Sequence, residues 1–332
     1  MVCAASALSC ESTRQTADTR RAETPIVDRA ARHEFTGTAM GCVVSITIDD
    51  DDEARARMAA RAGLLELDRL DAMYSDWKRS SELSRANDAH GGSVVVTAEF
   101  AALLRRALEV ARASDGRFDP TVGTLVALWR ESRKSGAPPT PEELAAARRT
   151  SGCREVALSE TDSEKRTAVL RRPDGLRLDF GGIAKGEGAV RALAAIAKAG
   201  CPRAIVAVAG DIACGDAPRG EAGWRVDVAA ESTAAARRTV LLAQRAISTS
   251  GGAQQFVEIG GTRYAHLVDA RTGLGATKLA QATVLGPLDT AVDALRTALA
   301  LTETDDEARA ILRQYPGYRA VIERDGSVRE LP

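Results

Sequence analysis

The chain has 332 residues, and its 45 lysines and arginines nearly balance its 46 aspartates and glutamates, which gives a formal net charge of −1 at pH 7. Because there is no excess of positive charge to neutralise phosphates, nucleic acid is not an expected partner. The hydrophobic fraction is 45%, yet no run of about 18 apolar residues is present that could cross a membrane.

The amino-terminal segment has the composition of a signal and a tether. Residues 1–10, MVCAASALSC, are small and apolar, and ALSC resembles a bacterial lipoprotein cleavage box that would place a lipid on Cys10. The segment lacks a basic start and its apolar part is short, so a plain disordered tail is the alternative. Residues 11–32 are polar and aperiodic. We therefore expect residues 1–32 to be a disordered signal or tether segment and residues 33–332 to be the folded domain.

The remaining sequence predicts helices early and strands late. A strand at about 43–48 precedes helices at about 53–70, 97–113, 122–134 and 141–149. After Gly152, strands are predicted at about 154–158, 166–171 and 176–180, a helix at about 184–199, strands at about 204–208, 224–229, 238–243, 254–259, 263–268 and 281–285, helices at about 289–301 and 304–314, and a closing hairpin. This order favours a two-lobed α+β fold, helix-rich first and strand-rich later, over an alternating doubly wound fold.

A glycine pair before a predicted helix is the first candidate site. In LDFGGIAKGEG, residues 178–188, the chain passes from Asp179 through two glycines to a helix that carries Lys185. Backbone amides at a helix start together with a lysine can bind an anion such as a phosphate. The spacing is not that of a P-loop, and a tight turn without a ligand is the alternative.

Two further segments carry acid and base candidates. Asp211 comes directly after a predicted buried strand and Gly210. An acidic residue in that position often lies in a cleft, and an ordinary aspartate in a turn is the equal alternative. His266 lies three residues before Asp269, and histidine is the usual proton shuttle near neutral pH, although a lone histidine on a strand is more often structural.

The apolar helix AVDALRTALAL, residues 291–301, contains Asp293 and Thr297 at positions i and i+4, hence on one face. Their oxygen atoms suit Mg²⁺ better than zinc, while a helix-start aspartate and a threonine bonded to the helix backbone form the alternative. Structural zinc is not expected, because the six cysteines form no CxxC pair and there are only three histidines.

Eight motifs follow one another along the chain. In order, they are TGTAMG, YSDWKRSSELSRAN, FDPTVGTLVALW, LDFGGIAKG, AGDI, STSGG, HLVDARTG and VDALRTAL. Taken together, from about residue 36 to residue 301, they resemble the ApbE family of FAD:protein FMN transferases.

The resemblance implies a fold, an activity and a set of site residues. The implied fold is a two-lobed, T-fold-like α+β architecture with mixed, largely antiparallel sheets flanked by helices. The implied activity is Mg²⁺-dependent transfer of FMN from FAD to a Thr or Ser hydroxyl of a target protein, with release of AMP. The residues that fall on the family's cofactor contacts are Met40, Trp77, Asp119, Pro120, Thr121, Asp179, Lys185 and Leu267; those on its metal ligands are Gly182, Asp293 and Thr297; those beside the reacting phosphate are His266, as general base, and Asp269.

The resemblance also implies partners and a location. The acceptor would carry a D-G/A-x-S/T-G-A-T type motif in an exported or membrane-associated electron-transfer subunit. A lipid on Cys10 would hold the enzyme at the periplasmic side of the inner membrane, and without it the chain would be soluble. An FAD pyrophosphatase that yields FMN and AMP, or a flavin-binding lipoprotein without catalysis, are the alternatives.

The sequence departs from the family pattern at a few positions. Ala270 stands where the family usually has proline, Ala209 replaces the first glycine of GGD, and Cys42 replaces a usual threonine. Arg296 lies between Asp293 and Thr297 where small residues are common. None of these changes removes an implied metal ligand, and Arg296 is expected either to approach a phosphate or to face solvent.

Overall fold

The computed structural model describes residues 31–228, 238–250, 256–259, 261–265 and 267–332. Its strands are β1 (Arg32–Ala39), β2 (Cys42–Asp49), β3 (Ser93–Thr97), β4 (Ala157–Leu158), β5 (Thr167–Arg171), β6 (Ala204–Val208), β7 (Asp211–Cys214), β8 (Trp224–Val228), β9 (Arg238–Leu242), β10 (Arg245–Thr249), β11 (Phe256–Ile259), β12 (Thr262–Ala265), β13 (Gln281–Pro287), β14 (Arg319–Arg324) and β15 (Ser327–Leu331). Its α-helices are α1 (Glu53–Tyr74), α2 (Glu82–Asp88), α3 (Ala98–Ala113), α4 (Gly123–Ser135), α5 (Pro141–Arg149), α6 (Ala184–Lys198), α7 (Ala291–Ala300) and α8 (Asp305–Leu312).

A large antiparallel sheet organises the described part of the chain. Eight strands follow the order β1-β2-β6-β7-β10-β13-β14-β15, and every neighbouring pair is antiparallel. β1 and β2 are joined by a tight turn in which Met40 and Gly41 have φ values of 52° and 73°. Positive φ at both central residues matches the twist that a two-residue hairpin requires. The first motif of the sequence is therefore a hairpin turn.

Two adjoining hydrophobic cores hold the helices on this sheet. In one core, α1 and α6 pack on the β1, β2 and β6 strands through buried side chains such as Ile46, Leu67 and Ile196. In the other, α7 packs on β10 and β13 and α3 packs against α7, with Phe100 and Leu295 buried. Met40 and Leu288 touch both cores. The junction between the cores is thus where the β1–β2 turn meets α6 and α7.

Smaller units surround the large sheet. A three-stranded sheet has the order β3-β5-β4. The β8–β9 hairpin packs Trp224 against Ile247 and other large-sheet side chains. Trp129 of α4 donates its indole hydrogen to the carbonyl oxygen of Gly273 at 2.8 Å and packs on Tyr264 of β12. The segment that follows residue 266 is therefore fixed to α4.

The α+β class with antiparallel sheets and flanking helices is confirmed, but several elements differ from the sequence prediction. The predicted strand at 176–180 is wrong: only an isolated bridge between Val122 and Arg177 forms there, because the Asn87 side-chain amide donates to the Leu178 carbonyl at 2.8 Å and accepts from its N–H at 2.7 Å. Elements that the sequence did not predict are β1, α2, β3, β7 and β10.

Candidate functional site

Lys185 lies between two buried carboxylates where α6, α7 and β7 meet. Its Nζ is 3.6 Å from Asp211 Oδ2 and 3.9 Å from Asp293 Oδ2, and it donates to the Gly181 carbonyl at 3.1 Å. About a quarter of the lysine side chain is exposed, 26%, whereas Asp293 is fully buried. The charge of Asp293, opposed by burial, raises the pKa of Lys185. The lysine is therefore a fixed cation at neutral pH that solvent or a ligand can still reach.

Both carboxylate oxygens of Asp293 are held by other groups of the protein. Oδ2 accepts from the Gly186 backbone N–H at 3.1 Å, and Oδ1 accepts from the guanidinium of Arg296. Burial favours the neutral form of Asp293, but Lys185 and Arg296 outweigh it and lower the pKa of that carboxyl. Asp293 is accordingly an anion inside the protein, held by one helix start and two cations.

Thr297 and Gly182 complete an oxygen-rich corner beside Asp293. Thr297 follows Asp293 by one turn of α7 and donates to its backbone carbonyl at 3.3 Å. A Cβ built on Gly182 would lie 3.2 Å from Thr297 Oγ1, so the glycine loop approaches the threonine closely. The three residues implied as metal ligands therefore lie side by side.

The donor chemistry of this corner fits a hard divalent cation. Carboxylate, hydroxyl and backbone carbonyl oxygens are the ligands that Mg²⁺ prefers. Within the part of the chain that the structure describes, no group of three or more His, Cys, Asp or Glu side chains is arranged to hold a metal. The corner therefore suits Mg²⁺, which usually keeps waters and takes few protein ligands, rather than zinc.

Asp211 is a second buried carboxylate of the same cluster. It opens β7 directly after the turn at Ala209, which has a φ of 53°, and it is 2% exposed. Ser248 of β10, its partner in the sheet register, donates a hydrogen bond from its hydroxyl to Asp211 Oδ1. Burial, reinforced by the charge of Asp293, raises the pKa of Asp211. The AGDI and STSGG motifs therefore meet on neighbouring strands.

Met40 reaches the cluster from the β1–β2 turn. A Cβ on Gly188, one turn along α6 from Lys185, would lie 2.8 Å from Met40 Sδ. The Met40 carbonyl accepts a hydrogen bond from the Cys42 thiol at 3.3 Å, and burial raises the pKa of that thiol. The Cys42 thiol therefore stays protonated.

Trp77 lies on the surface beside a network of charges. The side chain is 74% exposed, and the guanidinium carbon of Arg130 lies 4.4 Å from its ring centroid. Arg130 also pairs with Asp76 and lies 3.7 Å from Asp179 Oδ2. Burial, and then the charge of Asp76, raises the pKa of Asp179. An exposed indole face stiffened by an arginine is suited to stacking on an aromatic ring.

Gly181 links this aromatic surface to the lysine. Its N–H donates to Asp179 Oδ1 at 2.7 Å, and its carbonyl accepts from Lys185. The glycine loop thus bridges Asp179 and the buried charge cluster, and one extended ligand could contact both.

The Asp119-Pro120-Thr121 turn is held by contacts within the protein. Asp119 Oδ1 accepts from the N–H and hydroxyl of Thr121 at 2.8 and 2.7 Å, and Oδ2 accepts from the Cys153 N–H at 3.1 Å. The Pro120 carbonyl accepts from the Asp179 N–H at 2.8 Å. The turn thus holds the backbone of Asp179 in place through this hydrogen bond. Its role as a cofactor contact stays a prediction.

The HLVDARTG segment is only partly described. His266 lies outside the described residues, so its role as general base stays a prediction. Asp269 is 9% exposed. Its carboxylate accepts hydrogen bonds from Arg271 Nε and, at 2.7 Å, from Arg271 Nη2. The Asp269 carbonyl accepts from the Gly273 N–H at 2.7 Å. Leu267 packs on the core that contains α3 and α7.

Three charged residues that lie in these clusters are not among the site residues that the resemblance implies: Asp211, Arg296 and Arg130. Asp211 carried a signal, since it follows a buried strand and a glycine. Arg296 was noted as a departure from the family pattern. Arg130 carried no recognisable signal, because an arginine on an amphipathic helix is normally a solvated surface residue.

The antiparallel fold buries two carboxylates around a lysine, beside the oxygen atoms of Thr297 and the glycine loop. Such an arrangement is typical of an enzyme site rather than of a structural core. The chain matches the family model described as "ApbE family" over residues 40–322, and it therefore belongs to that family.

Curated relatives are transferases by name. The chain is 29% identical to the FAD:protein FMN transferase of Haemophilus influenzae over 276 residues, which cover 80% of this chain and 79% of the relative. It is 31% identical to the FAD:protein FMN transferase of Treponema pallidum over 259 residues, 74% of this chain and 71% of the relative. The solved ApbE protein of Thermotoga maritima has a TM-score of 0.79 at 26% identity, covering 91% of this chain and 97% of that one.

The described helices do not include a membrane-spanning one. None of them has both the length and the apolar content that crossing a bilayer requires.

Proposed function

We propose that this chain transfers FMN from FAD to a Thr or Ser hydroxyl of a target protein in a Mg²⁺-dependent reaction. One observation carries the proposal: Lys185 lies between buried Asp211 and Asp293, next to the oxygen donors of Thr297 and Gly182. Family membership supplies the reaction class, and the names of the curated relatives supply the donor and the transferred group.

The residues of the cluster would bind and orient the pyrophosphate of FAD. Asp293, Thr297 and the Gly182 carbonyl would hold Mg²⁺, which when bound neutralises phosphate charge and stabilises the transition state. Lys185 offers a preorganised cation to the same phosphates. Asp211 and Asp293 keep that lysine in place, and Ser248 orients Asp211.

The proposed transfer needs a base that takes the proton of the acceptor hydroxyl. The acceptor hydroxyl oxygen bonds to the FMN phosphorus, the bond from that phosphorus to the bridging oxygen breaks, and AMP leaves with the electron pair. The hydroxyl proton goes to a base within hydrogen-bond reach. We assign that role to His266, with Asp269 keeping the following turn in shape through Arg271 and Gly273.

The flavin nucleotide would extend from the cluster over the glycine loop. Met40, Asp179 and Leu267 would contact the flavin nucleotide there, and Trp77 would offer a stacking face. The Asp119-Pro120-Thr121 turn supports Asp179 from below. In this proposal, these contacts select the flavin nucleotide as the substrate.

The proposal also includes an acceptor protein and a cellular location. We infer an acceptor with a D-G/A-x-S/T-G-A-T type motif in an exported or membrane-associated electron-transfer subunit, and a lipid on Cys10 that holds the enzyme on the periplasmic side of the inner membrane. The cleavage box at residues 7–10 supports the anchor. Mass spectrometry of the native amino terminus tests it: a diacylglyceryl Cys10 is expected, and an unmodified Met1 would contradict it.

The activity is tested by incubating the full chain with FAD, Mg²⁺ and a protein that carries the acceptor motif. The expected result is covalent flavin fluorescence in a denaturing gel, lost when the acceptor Ser or Thr is changed to Ala. Release of free FMN and AMP without labelled acceptor would instead identify a pyrophosphatase, and recovery of intact FAD would identify a carrier. Either result from well-folded protein would overturn the transferase proposal.

A further inference from the structure

Arg296 is a buried cation inside the candidate site. Its residue is 6% exposed, and its guanidinium pairs with Asp293 Oδ1 one turn back along α7. The sequence left two expectations open, a phosphate contact or a solvent-facing side chain, and the observed burial excludes the second. The Nε hydrogen has no hydrogen-bond partner among the described residues, so the guanidinium retains a donor that a ligand oxygen could use.

The charges of the cluster balance without a metal. Asp211 and Asp293 contribute two negative charges, while Lys185 and Arg296 contribute two positive ones. If Asp211 takes up a proton, the sum becomes positive. In neither protonation state is the described cluster negative, and a divalent cation entering it alone would create excess positive charge in a buried region, which is costly.

Competition for the oxygens of Asp293 also weakens the binding of a divalent cation alone. The Arg296 guanidinium donates to Oδ1, the Gly186 N–H donates to Oδ2, and Lys185 Nζ lies 3.9 Å from Oδ2. A metal ion must share these oxygens with two cations or displace one of them. A small residue at position 296, by contrast, would leave Oδ1 free for the metal.

We propose that Arg296 is a positioning residue that makes Mg²⁺ binding depend on the pyrophosphate of FAD. The two negative charges of a pyrophosphate diester offset those of Mg²⁺, so the two ligands enter together at no change in the charge of the cluster, and each strengthens the binding of the other. The inference rests on the proposed function, because it takes FAD as the substrate and Asp293 as a metal ligand.

Metal binding without FAD gives the decisive measurement. Titrating the full chain with MgCl₂ alone in a calorimeter should show weak binding for the native protein. The Arg296→Ala variant should bind Mg²⁺ about tenfold more tightly or better, within the usual range of coupling between sites. Arg313→Ala, which removes an exposed arginine after α8, is the matched control and should leave Mg²⁺ affinity unchanged.

A charge-preserving variant separates charge from geometry. Arg296→Lys should retain weak binding of Mg²⁺ alone, because it keeps the cation. If Arg296→Ala binds Mg²⁺ no more tightly than the native chain, or if Arg296→Lys binds it as tightly as Arg296→Ala, the proposal is overturned.

Thermal melting covers the case in which Arg296→Ala is unstable. Removing the guanidinium leaves Asp293 as a buried carboxylate with less compensation, and MgCl₂ should then raise the melting temperature of the variant more than that of the native chain. Equal shifts would contradict the proposal. None of these measurements uses FMN transfer, so a chain that fails to transfer FMN yet shows the tightened Mg²⁺ binding would refute the proposed function and leave the role of Arg296 on the metal standing.

Discussion

At the scale of single residues, the candidate site depends on cations held in place by buried carboxylates. Lys185 is close to both Asp211 and Asp293, and its aliphatic stem starts from the first turn of α6. A lysine on a flexible surface would lose considerable side-chain entropy when it bound a phosphate. Here the folded protein has already ordered it, which is what electrostatic stabilisation of a transition state requires.

Replacing this lysine tests that role. Lys185→Met should lower the rate of FMN transfer by about two to three orders of magnitude, the usual cost of removing one preorganised charge-stabilising group. Lys198→Met, at the exposed end of the same helix, should leave the rate unchanged. A Lys185→Met enzyme with the native rate at saturating FAD would exclude the lysine from transition-state stabilisation.

A second residue-scale prediction concerns Asp50, which is remote from the site. Hydrogen bonds from Arg55, partly opposed by burial, lower the pKa of Asp50 to about 2. Its stabilising contribution is therefore present above the unfolded-state pKa of about 4 and is lost as the pH falls towards 2. Asp50→Asn should reduce the free energy of unfolding by about 1 kcal/mol at pH 7, since Arg55 is partly exposed.

Urea unfolding at pH 7, 4 and 3 would measure this difference. The gap between the native chain and Asp50→Asn should stay constant from pH 7 to about 5 and narrow as the pH falls further. A gap that widens in acid would show that the carboxylate is not stabilised by its ion pair in the folded state.

At the scale of elements, the site depends on the close approach of α6 to α7. A Cβ on Gly186 would lie 2.7 Å from the Cβ of Asp293 and 3.4 Å from the Thr290 carbonyl oxygen. Both atoms are close to the backbone and cannot move without shifting a helix. Gly186 therefore sets the distance between the helix that carries Lys185 and the helix that carries Asp293 and Thr297.

Two glycine variants in α6 separate close packing from helix propensity. Gly186→Ala should cost about 1–3 kcal/mol of stability through overpacking and should also weaken Mg²⁺ binding. Gly188→Ala meets Met40 Sδ and Leu67 Cδ2, the far ends of flexible side chains, and gains about 1 kcal/mol of helix propensity, so its stability should change little. Chemical denaturation of both variants checks the contrast, and equal losses would remove the special role of Gly186.

At the scale of the whole molecule, the site is assembled from segments far apart in the chain. The β1–β2 turn at Met40, the glycine loop at Gly181, β7 at Asp211 and α7 at Asp293 contribute to it. The large sheet makes this possible, because β7 and β10 are neighbours in the sheet although about thirty residues separate them in sequence. No local pattern encodes that pairing.

The sequence therefore predicted which motifs contribute to the candidate site better than it predicted how their side chains are arranged. The spacing of Asp293 and Thr297 placed them on one helix face, and the glycine pair before Lys185 indicated an anion site; the structure puts both at the same junction. The sequence did not show that the guanidinium of Arg296 lies inside the protein, because the pattern of an apolar helix with a single arginine does not reveal whether that side chain faces the interior or solvent. The strand predicted at 176–180 was wrong because a side chain, Asn87, supplies the backbone partners that a neighbouring strand would normally offer.

The position of β7 and β10 in the middle of the eight-stranded sheet has a consequence for local unfolding. In the described part of the chain, β1 and β15 form the two edges, and edges fray at a lower free energy than the centre. Amide hydrogen exchange in heavy water should therefore be fast in β1 and β15 and slowest in β7 and β10. The strands that carry Asp211 and Ser248 would then exchange only through opening of the whole sheet, so partial unfolding from either edge would leave the charge cluster intact.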